Sequence, residues 1–402
     1  MIIKPRIKGF LCTTAHPAGC ELDVQQQIAH VESQDPLTNG PKKVLVIGAS
    51  GGYGLATRIS AAFGSGAATI GVFFERPAVK KRTASAGWYK SAAFTRLAQA
   101  AGLYATNING DAFSAELKQA TIDLIKKDLG KVDMVVYSLA APARQLADGS
   151  VVKNTLKPIG EPFEGATVDF NTATLRPISL MPASEEEIAE TVQVMGGDDW
   201  EQWIKELLAA DVLADGCITT NYTYLGGEAT WPIYYHGTIG RAKEDLDRAA
   251  KALAEPMAGI NGKAYVAVMK GLLTQASSAI PGMAIYLSLL FKIMKEKGTH
   301  EGSIEQTTRL FTTRLFSGSA LGDKAGDLDE QGRIRLDDWE LRDEIQDFVK
   351  QRWSSVSDEN LTEISDFEGY RAAFLQMHGF DFDGVDYELE VEQVVPMDVV
   401  EF

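Results

Sequence analysis

An α/β chain on a doubly wound parallel sheet is what this sequence predicts, on three observations. Four short apolar runs alternate with three helical stretches between residues 44 and 138, the rhythm of parallel strands joined by helical crossovers. The first run, Val44-Leu-Val-Ile47, is short and continuously apolar, as expected of a central strand covered on both faces. The composition, 45% hydrophobic and 23% charged over 402 residues, is that of an ordinary globular chain long enough for one large domain or two smaller ones.

Taken in order, residues 1–40 read as a preface broken by Pro5, Pro17, Gly19 and Pro36, with a short helix over 24–31. Strands are then expected at 44–47, 68–74, 103–108 and 132–138, separated by helices at 55–63, 92–102 and 114–129. Ser114 is a suitable cap for the last of these, and Gly130 a suitable stop. Residues 143–182 hold four prolines and are expected to be irregular, a lid or small insertion near a site. Helices follow at 184–195, 200–213 and 239–258, with strands at 217–222 and 264–269. Beyond about residue 318 the βα rhythm stops. A helix is expected at 337–353, and the apolar–acidic alternation of 385–395 reads as a half-exposed strand. This divides the chain into an N-terminal extension (1–40), a core (41–318) with an insertion around 143–215, and an acidic C-terminal extension (319–402).

The charge is unevenly placed. The net value is −16, and residues 321–402 alone hold 7 Lys+Arg against 23 Asp+Glu, so the rest of the chain is balanced. An acidic tail argues against nucleic-acid binding, which requires positive charge opposite the phosphates. The longest apolar stretch, 280–293, is interrupted by Pro281, Gly282 and Lys292, so no membrane insertion is expected. An apolar secretory leader is not apparent. Cys12, Cys20 and Cys217 form neither a disulfide framework nor a metal spacing, and the five histidines form no zinc pattern. The Asp381–Asp386 stretch lacks the spacing of a calcium loop and reads as an acidic turn. A cytoplasmic protein without a metal is expected.

Between the first strand and the first helix stands Gly48-Ala-Ser-Gly-Gly-Tyr-Gly54. Glycines allow a tight turn and let backbone amides approach a pyrophosphate, and the helix dipole adds to the attraction. At the first βα turn of a βαβ unit, this cluster predicts dinucleotide binding in a Rossmann-type fold. Glu75 lies 21 residues after Gly54, at the end of the second strand. There a carboxylate accepts hydrogen bonds from an adenosine ribose and repels a 2′-phosphate, which favours NADH over NADPH. The neighbouring Arg76 works the other way. Asp111, after the third strand, is placed for the adenine edge, and the small residues of 138–141 would let the cofactor pass.

The polar groups best suited to chemistry lie in 230–243. Tyr234 and Lys243 are nine positions apart, about 13.5 Å along one straight helix, so they can meet only if the chain folds back. With Thr238 capping the helix that carries Lys243, Tyr234 would sit on an extended segment before it. A nearby ammonium would lower the phenol's pKa, and the phenol would donate to a carbonyl oxygen gaining charge. The competing reading is an ordinary aromatic in a tyrosine-rich stretch. His236 is a second acid–base candidate with a structural role as its alternative. Thr274 follows the strand at 264–269, where loops meet a nicotinamide. Ile280, Met283, Ile285, Leu287 and Phe291 offer either an apolar acyl wall or a helix packed on the sheet.

These motifs, together with Phe74-Glu-Arg-Pro77, Ala86-Gly-Trp-Tyr89, Tyr137-Ser-Leu-Ala140 and Leu273-Thr-Gln-Ala-Ser-Ser-Ala-Ile-Pro281, resemble the trans-2-enoyl-CoA reductase / FabV-type enoyl-[acyl-carrier-protein] reductase family. The resemblance spans nearly the whole chain. Short-chain dehydrogenases share the glycine turn but place tyrosine and lysine closer together, as do the shorter enoyl reductases. The eight-residue interval here matches the longer family. The resemblance implies a short-chain-dehydrogenase-like fold and NADH-dependent reduction of the α,β double bond of enoyl-CoA or acyl-carrier-protein thioesters. It implies Tyr234 and Lys243 as the essential pair, with Tyr224 as a helper near the thioester. The implied cofactor residues are Gly48, Ser50, Gly51, Gly52, Tyr53, Gly54, Phe74, Glu75, Asp111, Ala112, Leu139, Ala140, Lys243, Leu273, Thr274 and Gln275. Tyr224, Tyr234, Ile280 and Met283 would face substrate. A monomer is implied, a dimer being the alternative. The rival functions are an NAD(P)H-dependent carbonyl reductase and a non-enzymatic dinucleotide-binding protein. Lys80, Lys81 and Arg82 are candidates for docking an acidic carrier protein.

Overall fold

The computed structural model describes residues 1–402 except 171, 319–320 and 322–326. The start expected for the C-terminal extension, residue 319, therefore lies outside the described residues. The apolar runs form β1 (Lys43–Ile47), β2 (Ala68–Phe73), β3 (Ala105–Asn109), β4 (Val132–Tyr137), β5 (Leu213–Thr223) and β6 (Lys263–Val268). Two-residue strands β7 (Ile334–Arg335) and β8 (Val400–Glu401) finish the edges. The order is β7-β6-β5-β4-β1-β2-β3-β8, and every pairing is parallel. The chain direction across the sheet reverses between β1 and β4, which opens a crevice at their C-terminal ends.

Strand alternation fills a core on each face. Leu45 and Ile47 of β1 point into one cluster, Val44 and Val46 into the other. The first cluster is covered by α4 (Ala115–Leu124), α6 (Asp198–Ala209) and α7 (Thr238–Ala258), through side chains such as Leu117, Trp203 and Leu246. On the other face lie α1 (Pro17–Glu32), α2 (Gly52–Ser65), α3 (Ala86–Ala100) and α9 (Ser303–Leu310). A third apolar body centres on α8 (Met283–Glu296), against which α10 (Asp343–Trp353) and α11 (Phe367–Gln376) pack. Helix α5 (Glu185–Met195) carries a capping box at Ser184 and Glu187 and leans on α7.

Several expectations need correction. Residues 143–182 are not irregular. They include two antiparallel hairpins, Ala143–Gln145 with Val151–Lys153 and Phe163–Asp169 with Thr174–Leu180, whose strands have few fully buried positions and so carry little apolar signal. The helix expected at 92–102 begins at Ala86, where Trp88 and Tyr89 are buried. The N-terminal helix begins at Pro17, with Nδ1 of His16 accepting from the Gly19 amide. Residues 125–129 form a π-helical turn after α4. Helix α6 stops at Ala209, and β5 begins four residues before the expected 217, with a bulge between Leu213 and Ile218. Helix α10 starts at Asp343, not 337. Residues 385–395 are not a strand. Their carbonyls accept instead from the Trp88 indole (3.0 Å, Val395), the Tyr89 hydroxyl (2.7 Å, Gln393) and the Met1 ammonium (2.7 Å, Val391).

Candidate active site

The glycine turn is determined by close approach. Gly48 has φ +84°, and a Cβ there would lie 2.4 Å from the Ser138 carbonyl oxygen. One on Gly54 would lie 1.9 Å from the Gly48 oxygen, so α2 can pack this tightly on β1 only with glycine there. Gly51, the N-cap of α2, has extended backbone and open space around its missing side chain. Gly52 has φ +49° and faces Thr274, whose Cγ2 is 3.5 Å from where a Cβ would stand. The loop after β6 therefore lies opposite the turn, and Thr274 and Ser277 brace it by exchanging amide-to-hydroxyl bonds of 2.8 and 3.1 Å.

Glu75 sits at the end of β2. Its Oε1 accepts from the Ser50 hydroxyl at 2.7 Å, and its backbone is fixed on both sides by the Asn109 amide group. Neighbouring Phe74 is 77% exposed. Asp111 is exposed after β3, with one oxygen accepting from the Phe113 amide. Ala112 turns into the core, and its carbonyl accepts from the Trp203 indole. Leu139 and Ala140 follow β4 beside Gly48, and Leu273 and Gln275 flank Thr274. Gln275 bonds the ring of His378 at 3.1 Å, a link from the C-terminal region that local spacing does not reveal.

Tyr234 and Lys243 each reach a tyrosine near the end of β5, Tyr224 and Tyr222 respectively, without touching each other. Lys243 Nζ donates to the Tyr222 carbonyl at 3.4 Å, while Tyr234 packs edge-on against Tyr224, ring centroids 5.0 Å apart. The segment before α7 is not extended. It is a compact turn in which Gly237 and Gly240 both donate to the Tyr234 carbonyl. Thr238 does not cap the helix. Gly237 does, and the Thr238 hydroxyl is bonded to the Thr155 carbonyl and the Lys157 amide. Tyr234 is 5% exposed, and burial pushes its phenol up rather than down. Burial also lowers Lys243 to about 8. His236 is exposed between the rings of Trp231 and Tyr235.

Around these groups lies a layer in which sequence reasoning named Tyr53 and Tyr224 but missed their partners Tyr222, Lys270 and Glu340. Tyr53, in the first turn of α2, donates to the Lys270 carbonyl at 3.1 Å and packs on Tyr222, whose hydroxyl meets Thr57 at 2.7 Å. The Tyr224 hydroxyl donates to Glu340 at 2.8 Å. Ile280 packs at the edge of the α8 cluster, and Met283 lies inside it at 2% exposure. Among the described residues no group of three or more His, Cys, Asp or Glu side chains converges as a metal site, and no helix is long and apolar enough to cross a membrane.

The bare turn at the helix N-terminus, the Ser50-braced carboxylate and the facing Thr274 fit a nicotinamide dinucleotide. Comparisons with known proteins give the family. Residues 82–316 match the family described as the trans-2-enoyl-CoA reductase catalytic region, and 2–80 its NAD(P)H-binding domain. An enoyl-[acyl-carrier-protein] reductase [NADH] of Serratia proteamaculans is 57% identical over 402 residues, the whole of both chains. One of Edwardsiella ictaluri is 56% identical over 401, again the whole of both. The solved structure of Treponema denticola trans-2-enoyl-CoA reductase with NAD superposes with a TM-score of 0.93 at 46% identity, covering 99% of each chain. That of the Clostridium acetobutulicum enzyme with NADH gives 0.94 at 43%, covering 98% of each. Residues 328–391 match a segment described as an enoyl reductase FAD-binding domain. They do not fit a flavin here, because Phe367, Tyr370 and Phe374 fill the interior against Phe170 and α8, with centroids as close as 4.4 Å. With the fold, the glycine turn and these full-length likenesses in agreement, the chain belongs to the trans-2-enoyl-CoA reductase family.

Proposed function

We infer that this chain reduces the carbon–carbon double bond of trans-2-enoyl thioesters with NADH, and that Tyr234 and Lys243 carry the chemistry. What supports the residue roles is that Lys243 donates to the Tyr222 carbonyl and Tyr234 packs on Tyr224, two residues on, while the Tyr222 ring also packs on Tyr53 in the first turn of α2. Bound NADH supplies the hydride, which C3 of the substrate accepts. Negative charge then moves to the thioester oxygen. Tyr234 donates a hydrogen bond to that oxygen, and a phenol held up by burial keeps its proton for the task. Lys243, a cation below about pH 8, holds the cofactor ribose. Glu75 selects NADH, Asp111 meets the adenine, and Thr274 positions the nicotinamide end. Protonation at C2 completes the saturated thioester.

Either coenzyme A or acyl-carrier protein presents the same thioester. Lys80, Lys81 and Arg82 are exposed on the loop after β2, at the cofactor end of the sheet, which suits an acidic carrier. The same reading takes the working form as a cytoplasmic monomer with one catalytic core and terminal extensions at 1–40 and 319–402.

The test is Tyr234→Phe, assayed by crotonyl-CoA-dependent NADH oxidation at saturating cofactor. We expect activity to fall by about 10²–10⁴; activity within about twofold of the parent removes Tyr234 from the chemistry. Product analysis separates the rivals. A saturated thioester supports this reading, an alcohol supports a carbonyl reductase, and NADH binding without turnover supports a non-enzymatic protein.

A further inference from the structure

We propose that Glu340 is a positioning residue for the reduction, acting through Tyr224; this rests on the reading of Tyr234 above. Glu340 belongs to the acidic last fifth of the chain, yet it is 0% exposed. A buried carboxyl is costly unless its oxygens are hydrogen-bonded, and here they are. Oε1 accepts from the hydroxyls of Tyr224 at 2.8 Å and Tyr286 at 2.6 Å, and Oε2 accepts from the Gly271 amide. Gln346 holds the backbone by donating to the Glu340 carbonyl at 2.8 Å.

The facing cation is Lys270. Its ammonium donates to the carbonyls of Gly271 (3.0 Å) and Glu301 (3.2 Å), so it supplies charge without occupying the carboxyl oxygens. The Glu301 carboxylate is held by Arg309 and Gln306. The surrounding backbone is shaped to the pair. A Cβ on Gly271 would lie 3.1 Å from the Tyr224 oxygen and 3.2 Å from the Glu340 Oε1, and one on Gly226 would lie 3.0 Å from the Tyr224 ring.

A phenol has one proton. Tyr224 gives its own to Glu340, so beside an ionised Glu340 it offers lone pairs, not a donor, to anything on its open side. Its ring is thereby held against Tyr234. Glu340 therefore sets two things at once: the place of the ring that supports Tyr234, and the polarity of the Tyr224 hydroxyl. A second donated bond from Tyr224 to the thioester oxygen, as its expected helper role requires, becomes available only when Glu340 is itself protonated.

The experiment is a double-mutant cycle in the full chain, with Glu340→Gln, Tyr224→Phe and the pair, reading kcat and KM for crotonyl-CoA and for NADH. Glutamine keeps the shape but cannot accept from the phenols and from the Gly271 amide together. We expect Glu340→Gln to lower kcat by about tenfold with KM for NADH within about twofold, and to add less than about twofold in the Tyr224→Phe background. An unchanged kcat, or losses that multiply in the double variant as independent structural damage would, overturns the proposal. Should Glu340→Gln not fold, the kcat–pH profiles decide. A limb on the acid side present in the parent and absent in Tyr224→Phe supports the proposal, and the same limb in both overturns it. Tyr234→Phe run alongside separates the two readings, because an active Tyr234→Phe defeats the site assignment, whereas an inactive one with a multiplicative cycle defeats only the role of Glu340.

Discussion

The two halves of the crevice are built from different materials. On the β1–β3 side the proposed cofactor surface is mostly backbone: a turn where a Cβ on Gly54 or Gly48 would stand 1.9 or 2.4 Å from a carbonyl oxygen, with the Glu75 carboxylate braced by the Ser50 hydroxyl. On the β5–β6 side it is side chains, buried at Tyr234, Lys270 and Glu340 and half-buried at Tyr224 and Lys243, that bond or pack against one another or against carbonyls. The first half is specified within about thirty consecutive residues, a length typical of one βαβ unit. The second is assembled from segments far apart, as Glu340 shows by lying 116 residues from Tyr224 and 54 from Tyr286. A surface made of backbone is rigid and local. One made of buried polar side chains depends on every partner being present.

Three measurements would break or sharpen that contrast. The largest effect is expected from Gly54→Ala, whose Cβ meets the Gly48 oxygen. Thermal unfolding should show a loss of ~1–3 kcal/mol, whereas Gly51→Ala, with open space around it, should leave the melting temperature in place. Equal losses would mean that the turn is not held by close approach. Next, Glu75→Ala should reduce the preference for NADH over NADPH by about tenfold, read as the ratio of kcat/KM values. An unchanged ratio would sink the ribose assignment.

The smallest effect is a pH dependence. Lys243 in the folded protein titrates at about 8, below its unfolded value of about 10.4. As pH rises through 8 the folded chain loses this ammonium, so KM for NADH should climb several-fold between about pH 7 and 9. The cofactor-free protein should respond in the opposite sense. Between these two pKa values the unfolded chain still binds the proton, so this group's contribution to stability increases with pH. A flat KM would detach Lys243 from the ribose.

The same division explains what could be read from the chain. The central strands and the glycine turn were legible because each is a continuous pattern over a few residues, and Glu75 because its distance from Gly54 is characteristic of the unit. Tyr234 and Lys243 suggested themselves as a pair chiefly through family likeness, since each is placed by a tyrosine near the end of β5 and not by their spacing. The hairpins of 143–180 went unseen because much of their surface faces solvent, and β7 and β8 because two residues carry no periodicity. Glu340 was hidden by the acidic composition around it. Counting charge places a carboxylate in water, and only its phenol partners reveal otherwise.

Glu340 also bears on how such a chain matures. Synthesis proceeds from the N-terminus, so the glycine turn, Glu75 and even Tyr234 leave the ribosome well before the residue that orders the tyrosine layer. A chain that stops short of residue 340 thus carries the glycine turn, Glu75 and Tyr234 but lacks the carboxylate to which the Tyr224 and Tyr286 hydroxyls donate.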